Sequence, residues 1–308
     1  MIMFLKRQFG YVILVVAGLM MTSCGMFDNQ GTPEGYVRHC VKLLDTKALY
    51  ADSGEWKAKK EETLEAAKTL ASMEEAHSLV EAAAKVAGGK HSFLQAPVKD
   101  TASFEEIAPA VELLDSNIAK IVLPAHSGVK VSDSLYTYSV LNFLQEHSDA
   151  KGVILDLRGN RGGNMYPMIA AVAPLLPDDD ILSFKARSRT IPISLEYIMR
   201  ISGMSGESIN KFPATTPIAI LTDDWTGSSG EATLLCFRGL DNVRTFGIPT
   251  AGYASANTPY RLKDGYQLVI TESCDMARSG EVFCDDPIAP DVTTETPLED
   301  AIDWIESL

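Results

Sequence analysis

Short runs of almost entirely apolar residues place the strongest limit on how this chain can fold. Two of them are residues 152–157 (GVILDL) and 217–221 (PIAIL). Strands of this composition are buried on both faces, as in a sheet that is covered by helices. Similar runs alternate with helical segments from about residue 91 to the end of the chain. The sequence therefore predicts an α/β domain over residues 91–308.

The segment before this domain has a different composition. Residues 36–90 are rich in Ala, Glu, Lys and Leu, and YVRHCVKLLD carries apolar residues at helical spacing. Ser53 is suited to cap the start of a helix, and the pair Gly88-Gly89 is suited to end one. We predict a small helical module over residues 36–90, preceded by a polar tether over residues 24–35.

The first 23 residues resemble a targeting signal. Two basic residues precede an apolar run of about 11 residues, followed by Thr-Ser and then Cys24. The run is shorter than the roughly 20 residues of a membrane helix. Thr-Ser-Cys resembles the lipobox of bacterial lipoproteins, which implies a lipid anchor on Cys24 in the cell envelope. Gly25 favours the outer over the inner membrane; an ordinary signal peptide with a chance cysteine is the alternative.

Charge and cysteine usage exclude several classes of function. The chain has 27 basic and 41 acidic residues, a net charge of −14. This balance argues against nucleic-acid binding, which needs a basic face. The cysteines form no CxxC pattern or His/Cys cluster typical of zinc, so we expect no metal and no cofactor. Export permits a disulfide, and Cys274 and Cys284 lie near a candidate hairpin, but the sequence leaves their pairing open.

The motif that most favours catalysis is TDDWTGSSGEA. A buried strand ends, the chain turns through Gly227, Ser228 and Ser229, and a helix begins near Glu231. Free backbone N–H groups at a helix start favour negative charge, as the oxyanion of acyl transfer requires. The spacing of these glycines and serines differs from the G-x-S-x-G nucleophile elbow of α/β-hydrolases. Taken alone, the motif is also explained by a serine that only caps the helix.

A second motif, GVILDLRGNRGGN, carries a strand into a glycine-rich turn. Gly162 and Gly163 can bring bare backbone N–H groups close to a ligand, and Pro167 suits the first turn of the helix that follows. A phosphate-binding loop is the competing interpretation, but the sequence lacks both phosphate-loop signatures. A third motif, GGKHSFL, places His91 outside any apolar periodicity, where it is free to face a cleft.

Together with GIPTAG and IAPD, these motifs resemble the C-terminal processing (tail-specific) serine peptidases, whose relatives include the tricorn core and the nisin-resistance peptidases. The resemblance covers about residues 88–295 and implies a ClpP/crotonase-like core, a mixed sheet covered by helices. It makes Ser228 the nucleophile. It makes the backbone N–H groups of Gly162, Gly163 and Ser229 the oxyanion donors.

The general base departs from the processing peptidases proper. Those enzymes carry a lysine where this chain has Tyr253. The tricorn and nisin-resistance branches use a histidine upstream of the glycine-rich turn, and the resemblance carries that role to His91. His126, in LPAHSG, is the rival.

Two further expectations concern the surroundings of the histidine. Glu231 ranks first as the group that orients it, with Asp285 or Asp286 as alternatives. Only about 30 residues separate His91 from the strand at 120–123, too few for the peptide-binding PDZ domain of many processing peptidases.

These observations predict a serine endopeptidase. A neutral imidazole takes the serine proton, and an acyl-enzyme forms. The expected substrates are exported peptides or protein C-terminal tails, and the other expected partner is the membrane, through the anchor. Two alternatives stay open: a non-catalytic peptide-binding envelope lipoprotein that uses the same groove, and an esterase or amidase.

Overall fold

The computed structural model describes residues 30–97, 107–127, 130–204 and 209–308. The predicted signal peptide and residues 24–29 of the tether, with Cys24, lie outside the described residues. Among the helices of the described ranges, none has both the length and the apolar character needed to cross a bilayer.

One sheet is mixed and mostly parallel. Its strands are β2 (Ala110–Leu113), β3 (Ile118–Val122), β4 (Gly152–Asp156), β7 (Ile218–Thr222), β8 (Val243–Gly247) and β12 (Val292–Thr293). Their order is β12-β8-β7-β4-β3-β2, and all neighbours run parallel except β2 against β3.

The second sheet is antiparallel and is built around one long strand. It comprises β1 (Phe93–Gln95), β5 (Asp180–Ala186), β6 (Thr190–Ser194), β9 (Ser255–Arg261), β10 (Gln267–Ala277) and β11 (Val282–Phe283). Strand β10 pairs with β1, β5, β9 and β11, while β6 pairs with β5.

Helices cover both sheets. They are α1 (Pro33–Lys47), α2 (Gly54–Ala66), α3 (Met73–Gly88), α4 (Lys130–Glu146), α5 (Met165–Ala171), α6 (Leu195–Ile201), α7 (Ser229–Phe237) and α8 (Pro297–Glu306). Two short 3-10 helices occupy Ala67–Thr69 and Ala173–Leu175.

Strand β4 shows why the central strands are apolar throughout. Val153 and Leu155 belong to the main core with residues of α4, α5 and α7. Ile154 points to the opposite face, where it clusters with Ile305 of α8. Alternate side chains therefore enter two different cores, which confirms the predicted sheet covered by helices.

The three N-terminal helices share their core with the second sheet. Tyr36 and Trp56 are completely buried and cluster with Leu268 and Ile270 of β10. Ser53 accepts a hydrogen bond from Trp56 N and caps α2, as its sequence position predicts. The domain division at residue 90 stays a prediction, and these helices pack directly on a sheet that lies beyond it.

A disulfide joins Cys274 of β10 to Cys284 just after β11. It answers the question that the sequence left open, because the hairpin brings the two Cα atoms to 4.7 Å. Cys40 and Cys236 are free and buried.

Four parallel strands end at the same edge of the first sheet. The loops that leave β3, β4, β7 and β8 at this edge carry residues 123–127, 157–164, 223–228 and 248–254. Ligands of open α/β sheets bind in the crevice outside the carboxyl ends of the strands. The serine motif, the glycine-rich motif and most of GIPTAG lie in these loops.

Candidate active site

Ser228 occupies the turn between β7 and α7, at the cap position of the helix. Its backbone has φ 53° and ψ −118°, a conformation that residues with a side chain rarely adopt. Its N–H donates to Glu231 Oε2 at 2.9 Å, and Gly227 N–H donates to Asn160 O at 2.9 Å. The serine is thus held on a half-buried, fastened turn.

The glycine-rich turn after β4 packs directly beneath this serine. Gly162 has φ +97°, and a Cβ there would lie 2.7 Å from Ser228 Cβ and 3.0 Å from Ser229 N. Gly163 has φ +120°, and its Cβ would lie 2.1 Å from His126 O. Ser229 Oγ donates to Gly163 O at 2.7 Å. Only glycine permits this approach of bare backbone to the serine turn.

The backbone donors at this junction are not equivalent. Gly162 N–H donates to Asn160 Oδ1 at 2.9 Å. The N–H groups of Gly163 and Ser229 donate no hydrogen bond to any other described residue. Two of the three expected oxyanion donors therefore remain available, while the third is occupied by a buried side chain.

Asn160 is a residue of the candidate site that sequence reasoning missed. It is fully buried, and its Nδ2 donates to Leu123 O at 2.9 Å while its Oδ1 accepts from Gly162 N. It thus joins the loops after β3 and β4, and its carbonyl joins the serine turn. The signal in the sequence was Asn-x-Gly, since asparagine bonds its own backbone two residues on.

His91 lies at the second sheet, in the loop between α3 and β1. Its Nδ1 lies 2.9 Å from Ser255 Oγ at the start of β9, and its carbonyl accepts from Asn257 Nδ2 at 3.1 Å. Burial, and secondly the ammonium of Lys90, lower the pKa of His91 from 6.5 to about 4. The imidazole is therefore neutral at pH 7.

Glu231 lies at the centre of the serine turn rather than beside the histidine ring. It is completely buried and accepts from the N–H groups of Ser228, Gly252 and Tyr253 at 2.9, 2.8 and 2.7 Å. The hydroxyl of Thr250 donates as well. Burial raises the pKa of Glu231, and these hydrogen bonds oppose the rise. The carboxylate positions two loops of the site.

The ring partner of His91 is therefore Ser255, and none of the carboxylates considered from sequence has that place among the described residues. The two carboxylate oxygens of Glu231 together accept hydrogen bonds from the serine turn and the 250–253 turn. Asp285 Oδ2 accepts from Tyr50 hydroxyl at 3.3 Å, and Asp286 is exposed.

Tyr253, which stands where the processing peptidases have lysine, links the histidine to the serine turn. Its ring packs on His91 with centroids 5.1 Å apart at 75°, and its N–H shares Glu231 Oε2 with that of Ser228. Lys90 Nζ lies 4.4 Å from the same ring and donates to Ala251 O at 3.1 Å.

The rival histidine, His126, supports the glycine turn from behind. Its side chain is 1% exposed, and Nε2 lies 2.8 Å from Asp133 Oδ1. Its N–H donates to Gly162 O at 3.1 Å and its carbonyl accepts from Asn164 N at 2.6 Å. An imidazole so enclosed is not presented to a substrate. In the described part of the chain, no group of three His, Cys, Asp or Glu side chains is placed to hold a metal.

Comparison with known proteins identifies relatives over most of the chain. Residues 117–294 match the family Peptidase family S41. The chain is 37% identical to the nisin-resistance protein of Lactococcus lactis subsp. lactis over 284 residues, 90% of this chain and 88% of that protein. It is 27% identical to the carboxy-terminal processing protease CtpA of Bacillus subtilis (strain 168) over 188 residues, 60% and 37%. Among solved structures, a lipoprotein from Streptococcus agalactiae superposes with a TM-score of 0.81 at 32% identity, covering 94% of this chain and 99% of that one.

Proposed function

This chain belongs to peptidase family S41 and is a serine peptidase, and from that premise we propose that Ser228 is its nucleophile and His91 its general base. One observation carries the assignment. Ser228 adopts φ 53° at the start of α7, directly before Ser229, whose N–H is unengaged and whose hydroxyl donates to Gly163 O. A serine that served only as a cap would need neither the strained backbone nor the glycine turn packed beneath it.

The proposed reaction starts with a proton transfer. With Nδ1–H donating to Ser255 Oγ, Nε2 of the neutral His91 carries the lone pair that accepts the proton of Ser228 Oγ. The oxygen then attacks the peptide carbonyl. The imidazolium returns its proton to the leaving amine, an acyl-enzyme remains, and water hydrolyses it by the same route.

The negative charge that develops on the carbonyl oxygen is stabilised by backbone donors. We assign this role to Gly163 and Ser229, because Asn160 already holds the N–H of Gly162. Removing one donor from an oxyanion hole typically lowers kcat about 100- to 1,000-fold. The positive end of α7 adds to the stabilisation. Glu231 holds the serine turn and the 250–253 turn in place.

We propose that the substrates are exported peptides or the C-terminal tails of proteins. Similarity to a nisin-resistance protein and to a carboxy-terminal processing protease supports this choice. We further propose a bacterial envelope location with a lipid anchor on Cys24, the outer membrane more than the inner. The Thr-Ser-Cys sequence supports the anchor, and the similar Streptococcus agalactiae protein is described as a lipoprotein.

A fluorophosphonate probe tests the nucleophile. Wild type and Ser229→Ala should be labelled, since that variant keeps the backbone N–H, and Ser228→Ala should not. Folded wild-type protein that stays unlabelled at pH 8 would instead support a non-catalytic peptide-binding protein.

Histidine variants test the base on an unstructured peptide. We expect His91→Ala to lose about 10⁴-fold or more in kcat, and His126→Ala to keep the chemistry if it folds. Full activity in His91→Ala would overturn the assignment, and turnover of esters but not peptides would favour the esterase.

A further inference from the structure

Arg161 and Trp225 form a stacked pair beside the serine turn. The Cζ atom of Arg161 lies 3.7 Å from the centroid of the Trp225 ring. The tryptophan is 51% exposed, and the arginine is exposed too. A large aromatic side chain left half in solvent next to a catalytic serine offers a contact surface.

The two side chains come from the two loops that build the site. Arg161 directly precedes Gly162, where a Cβ would lie 2.7 Å from Ser228 Cβ, and Trp225 precedes Ser228 by three residues. Gly227 N–H donates to Asn160 O, so a main-chain hydrogen bond already holds the two loops together. The exposed cation–π contact adds only a small stabilisation to this junction. Stabilising the loops therefore does not explain why the pair is there.

The guanidinium N–H groups of Arg161 donate to no described acceptor. Arg158, in the same turn, donates to both oxygens of Asp156 at 2.9 and 2.6 Å. Arg161 has no hydrogen bond and no ion pair with any described residue. The neighbouring Asp223 carboxylate accepts from the N–H groups of Gly159, Trp225 and Thr226.

A guanidinium stacked on an aromatic ring keeps the donors at its edge free for a planar, bidentate acceptor. We propose that Arg161, held by Trp225, binds a carboxylate of the peptide substrate close to the scissile bond. The carboxylate is either the C-terminal one or an Asp or Glu side chain. The proposal rests on the proposed function of Ser228 and makes Arg161 a specificity-determining residue.

The test compares matched peptides that differ only in the carboxylate. One pair has a free or an amidated C-terminus, and the other has Asp or Asn near the cleavage site. We expect Arg161→Ala to lower kcat/KM about 10- to 100-fold for the charged peptide of one pair, either the free C-terminus or the Asp peptide. The loss should arise mainly through KM. The amidated and Asn peptides should change little. Which pair responds identifies the source of the carboxylate.

Two further variants sharpen the result. Arg161→Lys keeps the charge but loses the planar guanidinium that donates two hydrogen bonds to one carboxylate. It should therefore keep only part of the preference for the charged peptide. Arg244→Ala removes another exposed arginine near an aromatic ring, its Cζ 5.8 Å from the centroid of Phe246, near the amino end of β8, and should be neutral. Equal losses on charged and neutral peptides in Arg161→Ala would assign the pair a structural role and overturn the proposal.

Probe labelling separates this proposal from the one it rests on. Wild type and Arg161→Ala should both react with the fluorophosphonate at Ser228. Labelling without any carboxylate preference defeats only the role of Arg161. Absence of labelling in wild type defeats the proposed function itself.

Discussion

Nδ1 of His91 lies 2.9 Å from Ser255 Oγ, so the group that holds the imidazole is a hydroxyl and not a carboxylate. A hydroxyl fixes the direction of the ring but does not offset the charge of an imidazolium. Burial and the nearby Lys90 ammonium therefore act without opposition, and the pKa of His91 falls to about 4.

The pH dependence of activity follows from this pKa. With His91 as the proposed general base, the active form has a neutral imidazole. Its pKa lies below the ordinary 6.5, so lowering the pH from 8 to about 5 should leave kcat/KM unchanged. Activity should fall only with a midpoint near 4. A pH–rate profile on a peptide, with fluorescence to confirm that the protein stays folded, measures the midpoint. A midpoint near 6.5 would contradict this environment for His91.

Changing Ser255 should separate orientation from charge. Ser255→Ala removes the orienting oxygen and should lower kcat about 10- to 100-fold with little change in KM. Ser255→Asp places a carboxylate beside Nδ1, and an opposite charge at that distance raises the pKa of a histidine. The acidic limb of its pH–rate profile should move up accordingly. An unmoved limb in Ser255→Asp would show that this position does not control the ring.

Two glycines of one turn provide a matched pair. Gly159 has φ +73°, and a Cβ added there would meet nothing within 4 Å, whereas at Gly162 (φ +97°) the Cβ would meet Ser228. Alanine at either position strains the backbone by about 1 kcal/mol. We expect Gly159→Ala to stay active and Gly162→Ala to lose kcat by about 100-fold or more, because the second variant displaces Ser228, the proposed nucleophile. Equal activities, measured alongside urea unfolding, would contradict the close packing.

Asp275 should make the protein less stable at alkaline pH. The residue is buried, and Oδ1 has no hydrogen-bond partner among the described residues. Burial, and secondly the charge of Glu231, raise its pKa well above 3.8. An acid whose pKa is raised on folding binds more protons in the native state, so stability is lost as pH rises through the folded pKa.

The comparison of Asp275→Asn with wild type tests this sign. At pH 8 the variant should unfold at a higher urea concentration than wild type. The difference between the two unfolding midpoints should narrow as the pH falls towards 4. Wild type that is the more stable protein at pH 8 would show that the carboxylate has a partner in solution.

The Cys274–Cys284 disulfide should contribute to stability. It closes a loop of ten residues, for which the chain-entropy model gives about 2–3 kcal/mol. Urea unfolding with and without a phosphine reductant measures the loss. The double variant Cys274→Ser/Cys284→Ser should match reduced wild type and should not respond to the reductant. A response in the double variant would point to another target.

Much of the architecture could be predicted because it depends on local composition. The central strands β4 and β7 are apolar at nearly every position, and only a sheet with two covered faces accommodates that pattern. Gly162 and Gly163 likewise indicate close approach of backbone, whatever the partner is. The combination of these motifs was enough to predict the family, which the comparisons confirm.

The partners of these residues depended on the tertiary structure. His91 and Ser255 are 164 positions apart, and they meet because β1 and β9 both pair with β10 in a register that no local pattern specifies. The same holds for Arg161 over Trp225. The types of residue at the site were thus determined by the sequence itself. Which hydroxyl holds the histidine, and which backbone N–H is already taken, was decided by long-range packing, because burial and hydrogen-bond geometry exist only once the loops are assembled.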